Sequence, residues 1–321
     1  MSTPAAMAPT AAAFGLRLRC PACARGLPPA GDSAILCPHC GFEVGLRDGI
    51  WRALAADRAR HFAAFATSYT TIRSQEGRGS PDPAYYLDLP YSDRTGRHAW
   101  EWAIRGCSYR HLATNLVPRL AAARGGGLDI LDLGAGNGWL SHRLTAMGHR
   151  PVAVDLLDHP DDGLGAARHY LAEDVRFSRY QADMDHLPFC EAQFDLAIYN
   201  AVFHYSEDYR STLAEALRCL RVDGAVAILD SPFYAQAVSG DRMVEEKHQR
   251  FQRQFGQRSD ALRSREYLVQ ETMESLAAAL GLRWERHLPD YGLAWRLRPW
   301  KARLLRRREP SRFYLWLGYR L

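Results

Sequence analysis

The chain has 321 residues, 47% of them hydrophobic and 24% charged, and a formal charge of +5. That balance is ordinary for a soluble globular protein, and the length allows one large domain plus a small appendage. No run of about 18 apolar residues occurs, so no helical membrane span is expected. The first nineteen residues, rich in Ala and Pro, lack the early basic cluster of a secretion signal, and 1–16 reads as a disordered leader.

Residues 17–51 read as a zinc ribbon. Cys20-Pro21-Ala22-Cys23 and Cys37-Pro38-His39-Cys40 are two tight cysteine pairs thirteen residues apart. Each pair can present two thiolates to one ion, and Gly31-Asp32 between them is a turn that returns the chain for the second pair. Four cysteines close a tetrahedral site, so Cys20, Cys23, Cys37 and Cys40 are expected to hold one structural zinc. His39 is expected to stay exposed. Free thiols and a metal site suit a reducing cytoplasm better than an oxidised compartment. With its Asp48-Gly49-Ile50 turn, this segment resembles the zinc ribbon of the small activator subunits of RNA and protein methyltransferases. The resemblance makes the ribbon a possible protein-docking module.

Residues 52–127 read as a helical linker and cap. A first helix over about 52–74 carries Phe62, Phe65 and Tyr69 at helical spacing, expected to pack it on a neighbour. The Gly- and Pro-containing stretch 77–93 reads as a long loop. A second helical region, about 98–124, ends at Gly125-Gly126-Gly127.

From 128 onward the pattern becomes that of an α/β nucleotide-binding core. A short apolar strand leads into Gly134-Ala135-Gly136-Asn137-Gly138, and a helix opens at Trp139. Glycines in that place let the backbone approach a ligand closely. A second strand ends on Asp155, a carboxylate placed to accept from two ribose hydroxyls. A third ends near Asp183-Met184. The fourth, Phe194 to Asn200, runs into Ala201-Val202-Phe203-His204. A helix over 213–224 with a turn at Asp223-Gly224 precedes a fifth strand over 225–229. Residues 231–265 read as an insertion, with Phe233 and Tyr234 at its base. A helix over 266–280, a strand over 282–288 and a terminal strand over 313–319 close the fold. Cys107, Cys190 and Cys219 read as small hydrophobes.

As a set, DLGAGNG at 132–138, Asp155, QADMDHLPF at 181–189, FDLAIYNAVFHY at 194–205 and RCLRVDG at 218–224 resemble the class I S-adenosylmethionine-dependent methyltransferases. The resemblance implies a Rossmann-like seven-stranded sheet with helices on both faces over 128–321. It implies S-adenosylmethionine as cofactor, with Gly134, Gly136 and Gly138 along its methionine side. Asp132 would sit near its amino end, Asp155 on the ribose, Asp183 and Met184 at the adenine, and Asn200 under the methionine moiety. A dehydrogenase would keep GxGxxG for a pyrophosphate, whereas here the third glycine comes one residue early.

His204 follows the fourth strand, where the acceptor pocket should open, and is the candidate general base, set against a histidine that only orders the loop. No Asn/Asp-Pro-Pro-Tyr/Phe sequence follows that strand, and no Pro-Cys pair offers a nucleophile. A small or medium-sized metabolite, methylated at O, N or C, is therefore the leading acceptor. The alternatives are a ribosomal or transfer RNA methyltransferase using the ribbon, and a non-catalytic cofactor-binding scaffold. The RNA reading draws on residues 282–321, where eleven Lys/Arg face three Asp/Glu. That excess also fits a solvated rim of a chain with only two lysines.

Overall fold

The computed structural model describes residues 15–29, 33–171 and 177–321. Most of the 1–16 leader and the Gly31-Asp32 turn lie outside the described residues. Three short strands come first, β1 (Ala34–Leu36), β2 (Glu43–Arg47) and β3 (Ile50–Arg52), as an antiparallel meander. Helix α1 (Ala56–Gln75) follows, then α2 (Pro83–Asp88). The stretch read as a loop over 77–93 thus holds a helix. Asp82 caps it by accepting from Ala84 N at 3.0 Å, Pro83 opens it, and Tyr85 and Tyr86 are buried beneath it. A cap followed by proline is a helix start, which the surrounding Gly and Pro residues masked. Helices α3 (Ala99–His111) and α4 (Val117–Arg124) are joined by a wide π turn over Leu112–Leu116. Pro118 there has no N–H to give to residue 114, so the ladder widens.

The core then alternates: β4 (Asp129–Leu133), α5 (Trp139–Ala146), β5 (Arg150–Asp155), α6 (Arg168–Leu171), β6 (Ser178–Gln181), β7 (Phe194–Asn200), α7 (Tyr209–Cys219) and β8 (Leu220–Leu229). All but the last residue of β7 is buried, as expected for a parallel strand covered on both faces. Next come β9 (Phe233–Tyr234), α8 (Ala237–Phe255), β10 (Leu268–Val269), α9 (Gln270–Leu280), β11 (Leu282–His287), α10 (Leu293–Arg296), α11 (Arg298–Leu304) and β12 (Leu315–Arg320).

The main sheet has the order β1-β2-β3-β6-β5-β4-β7-β8-β12-β11. Its last seven members are the expected seven-stranded methyltransferase sheet, with the chain-terminal β12 antiparallel to β8 and β11. Two features differ from the sequence reading. The Asp223-Gly224 turn lies inside one long β8, where the register against β7 slips between Phe194 and Leu196. The N-terminal segment read as a ribbon also joins the sheet: β3 pairs parallel with β6, and the sheet grows to ten strands. Leu18, Ile35, Val44 and Trp51 share one hydrophobic cluster with Tyr180 and Phe189. Arg19 N donates to Pro188 O at 3.1 Å and Cys190 N to Arg17 O at 2.9 Å, fixing the ribbon to the chain after β6.

From β4 the chain moves through β5 to β6 on one side, then returns to β7 on the other. The crevice at the carboxyl ends of β4 and β7 is where such sheets take ligands.

Candidate active site

That crevice is a cavity of about 1150 Å³, mouth included. Its floor is the loop after β4. Gly134 there has φ +68, and a Cβ on it would stand 2.4 Å from Val202; only glycine fits. Gly136 (φ +54) has open space beside it, and its N–H donates to Asp155 Oδ2 at 2.8 Å. Both line the cavity, whereas Gly138 does not. Gly138 opens α5 at φ +81, and its Cα packs where a Cβ would press on Phe177 at 3.0 Å. Its role is close packing of helix on sheet rather than ligand approach.

Asp132 is 1% exposed, lines the cavity, and accepts from Ser141 Oγ at 2.7 Å through Oδ2; its Oδ1 is buried without a partner among the described residues. Burial pushes its carboxyl up to about 7. Asn200 Oδ1, also at the cavity, is a second buried acceptor without a partner among the described residues. Orphaned acceptors carry a large desolvation penalty, so two facing one cavity fit a ligand cation or donor group. Asp155 accepts from Gly136 N and Leu157 N, both at 2.8 Å, and burial raises its carboxyl to about 6. Asp183 and Met184 line the far end. The Asp183 carboxylate is already engaged, by Arg58 Nε at 2.6 Å and His186 Nδ1 at 3.0 Å.

His204 is placed otherwise than the base role requires. It sits in a 3₁₀ turn, Phe203–Tyr205, 9% exposed, with Nδ1 3.2 Å from Ser231 Oγ. It is not among the cavity-lining residues; Tyr205 is. Successive residues of a 3₁₀ turn diverge by about 120°, so aiming Tyr205 at the cavity turns His204 away. Burial, then the Lys247 and Arg105 charges, push its ring down to about 3. A ring that stays neutral there is a poor proton acceptor. His204→Gln is therefore expected to change kcat by no more than about threefold and to leave the pH–rate profile in place. A drop of a hundredfold or more with loss of the profile's acidic limb would restore the base role.

Helix α1 supplies the roof. Phe62, Phe65 and Tyr69 of α1 face the cavity rather than a neighbouring helix. Phe65, Tyr69 and Tyr205 form an aromatic group with centroids 5.3–6.1 Å apart. Two arginines enter beside it. Arg73 is satisfied by Asp162, with Nη2 to Oδ1 at 2.9 Å. Arg105, from α3, has its guanidinium 4.8 Å from the Trp102 ring centroid and no hydrogen-bond or ion-pair partner among the described residues. Burial, then the like charges of Arg78 and Arg73, hold its pKa below the usual arginine range, against weaker pull from Glu101 and Asp230. Asp230, just after β8, adopts φ +55, a strained place for a non-glycine residue, and its Oδ2 is buried without a partner among the described residues. Behind the aromatic group a second cavity of about 700 Å³, mouth included, is lined by Ser68, Arg78 and Ser259, whose buried Oγ, Nη1 and Oγ have no partner among the described residues. The available sequence signal was the spacing of Phe62, Phe65, Tyr69 and Arg73 on one helical face. It tells which residues point together, but not toward what.

Away from this cavity, the sulfurs of Cys20, Cys23, Cys37 and Cys40 all lie within 4.8 Å of one another. Cys20–Cys40 and Cys23–Cys37 are each 3.6 Å apart. Tetrahedral zinc with Zn–S bonds of about 2.3 Å needs sulfurs about 3.8 Å apart, so the donor set fits that ion. His39 is exposed and outside the cluster.

Residues 131–228, from β4 to β8, match the family model described as a methyltransferase domain. Malonyl-[acyl-carrier protein] O-methyltransferase of Pseudescherichia vulneris is 28% identical over 192 residues, 59% of this chain and 67% of that protein. Demethylmenaquinone methyltransferase of Clavibacter sepedonicus is 34% identical over 122 residues, 38% of this chain and 46% of that protein. The chain thus spans about two thirds of the first relative's length and under half of the second's. Among solved structures, magnesium protoporphyrin IX methyltransferase of Synechocystis aligns over 82% of this chain and 97% of its own, at 15% identity and a TM-score of 0.47.

Proposed function

We propose that this S-adenosylmethionine-dependent methyltransferase methylates a small, largely apolar molecule bearing an anionic group. The observation that carries this reading is Arg105, a guanidinium set among aromatic rings at the cavity with no ion-pair partner among the described residues. A charge so placed is costly unless a ligand pairs with it. Aromatic walls supply apolar contact, and the guanidinium supplies a planar two-pronged donor for a carboxylate or phosphate. The relatives named above act on a malonyl group held by a carrier protein and on a demethylmenaquinone. Their names alone therefore leave the acceptor open.

Cofactor binding follows from the same cavity. Asp132 Oδ1 and Asn200 Oδ1, the unpartnered acceptors, would hold the cofactor's ammonium group, and Asp155 would accept from the ribose hydroxyls. Asp183 would share its carboxylate between Arg58 and the adenine, beside Met184. The bound cofactor brings a methyl group on a sulfonium, an electrophile that needs alignment more than activation. The chain's part is to fix the acceptor in line and keep water out, which α1's aromatic residues and Tyr205 do. The four clustered cysteines would hold one structural zinc, with no open position for catalysis.

A pH dependence follows. The carboxyls of Asp132 and Asp155 are raised to about 7 and about 6, so in the ligand-free protein they favour the protonated form. Their contribution to ligand-free stability is present below the ordinary carboxyl range, near pH 4, and is lost as pH rises through about 6–7. The cofactor needs both ionised, so its affinity is expected to rise over the same window. The cofactor-induced rise in Tm should therefore grow from about pH 5 to about pH 8. A flat response would remove the roles given to these carboxylates.

The direct test feeds purified protein with methyl-labelled cofactor and fractionated cell extract. Label is expected in a small, acidic, organic-extractable fraction. Label in RNA would overturn the reading, and so would cofactor binding without transfer to any fraction.

A further inference from the structure

The most unusual surface lies outside the cavity, on the C-terminal helices. Residues 293–305 form a nearly continuous helix: Leu297 N donates to Leu293 O at 3.1 Å, Lys301 N to Leu297 O at 3.0 Å, and Leu305 N to Lys301 O at 3.0 Å. Leu293, Leu297, Trp300 and Leu304 are 51–84% exposed. At about 100° per residue these four fall within about 60° of arc, a single apolar stripe. Arg296 and Arg303 lie along one flank and Lys301 along the other. The opposite face, with Trp295 and Arg298, packs inward: Trp295 stacks on Phe313 at 5.5 Å and meets Trp100 at 5.9 Å. The stripe is thus the outer face of an anchored helix, not a loose end.

The surrounding charge is of one sign. Between Leu293 and Arg308 the sequence has seven Lys/Arg and no Asp/Glu. Arg296 pairs with Asp290 and Arg308 with Glu246. Lys301, Arg303, Arg306 and Arg307 are exposed and have no ion pair among the described residues. A Leu/Trp stripe flanked by Lys and Arg matches the pattern of helices that lie in the headgroup layer of a bilayer, with apolar side chains down and cations at the phosphates.

We infer that this helix docks the protein peripherally on an anionic lipid surface. No helix among the described residues is long and apolar enough to cross a membrane, so the contact is with the surface. Charge decides against the other occupants. Two copies of the patch facing each other would set their unpaired cations together. RNA would use the cations but leave four large apolar side chains in water, since nucleic-acid surfaces are read by charge and stacking. Trp100, which meets Trp295 on the inner face of this helix, sits at the start of α3, the helix that carries Trp102 and Arg105 to the cavity.

The test is co-sedimentation of the full chain with vesicles of phosphatidylcholine alone or mixed with phosphatidylglycerol, read without any methyl-transfer assay. Binding to the phosphatidylglycerol vesicles is expected, at least about tenfold stronger than to the neutral ones and weakened by salt. Trp300→Glu with Leu304→Glu should reduce it about tenfold or more, and Lys301→Glu with Arg303→Glu should remove the preference for anionic lipid. All four positions are exposed, so Tm should stay within about 2 °C of the parent. Equal binding by parent and double variant overturns the inference, as does failure of the parent to bind anionic vesicles. A dimer that Trp300→Glu dissociates, or salt-sensitive RNA binding without vesicle binding, overturns it in favour of that partner.

Discussion

Cys37→Ser is expected to lower Tm by about 10 °C or more and to abolish cofactor binding, although Cys37 lies in a different part of the chain from the cavity. A structural zinc site of four thiolates contributes on the order of 10 kcal/mol of apparent binding free energy to the folded state. Part of that loss is absorbed by unfolding the ribbon alone. The rest reaches the main domain, because Leu18, Ile35, Val44 and Trp51 belong to its core and β3 is hydrogen-bonded to β6. Strand β3 also leads directly into α1, whose Arg58 holds the Asp183 carboxylate and whose aromatic residues roof the cavity. In a domain of this size each kcal/mol moves Tm by about 2–4 °C. Metal analysis of the parent should return about one zinc per chain, as four thiolates around one ion require. A strong chelator should reproduce the variant's loss of stability. A parent without zinc, or a Cys37→Ser protein as stable as the parent, would sink the assignment.

The second large effect is at Arg105. Arg105→Met is expected to lower kcat/KM for the anionic acceptor by about thirtyfold to several thousandfold, corresponding to about 2–5 kcal/mol for truncating one partner of an enclosed charge pair. Cofactor Kd should change by less than about twofold, since Arg105 has no contact with the acidic residues at the cofactor end. The same substitution should raise the Tm of the ligand-free protein. It removes a half-buried charge that lacks a partner among the described residues and is repelled by Arg78 and Arg73, and replaces it with an apolar side chain of similar length. Arg105→Lys should recover little activity, because an ammonium lacks the planar fork. This pairing of gained stability with lost turnover separates a substrate-binding role from a structural one. A structural arginine would lose both together. Unchanged kcat/KM in Arg105→Met would return the acceptor's charge to an open question while leaving the methyltransferase fold untouched.

Much of this protein was legible in one dimension because the features concerned are local. The two cysteine pairs state their geometry by spacing, and the four sulfurs do converge. The glycine loop after β4 is legible because left-handed backbone at Gly134 and Gly136 is a property of those residues. Strand ends carrying Asp132, Asp155 and Asn200 follow from apolar runs that stop on polar residues, and those three do line one cavity. What the tertiary structure alone decided was what each face meets. The sequence puts Phe62, Phe65 and Tyr69 on one side of a helix, and only packing turns that side to the cavity. It puts His204 one residue from Tyr205, and only the tight turn chooses which of them faces the site. It shows a ribbon and a sheet, but not that β3 pairs with β6 across more than a hundred residues of chain. It shows an arginine at position 105, but not that its guanidinium lacks a partner among the described residues. Spacing fixes the direction of a side chain relative to its own backbone; its partner is fixed by long-range pairing and burial, which are properties of the assembled fold.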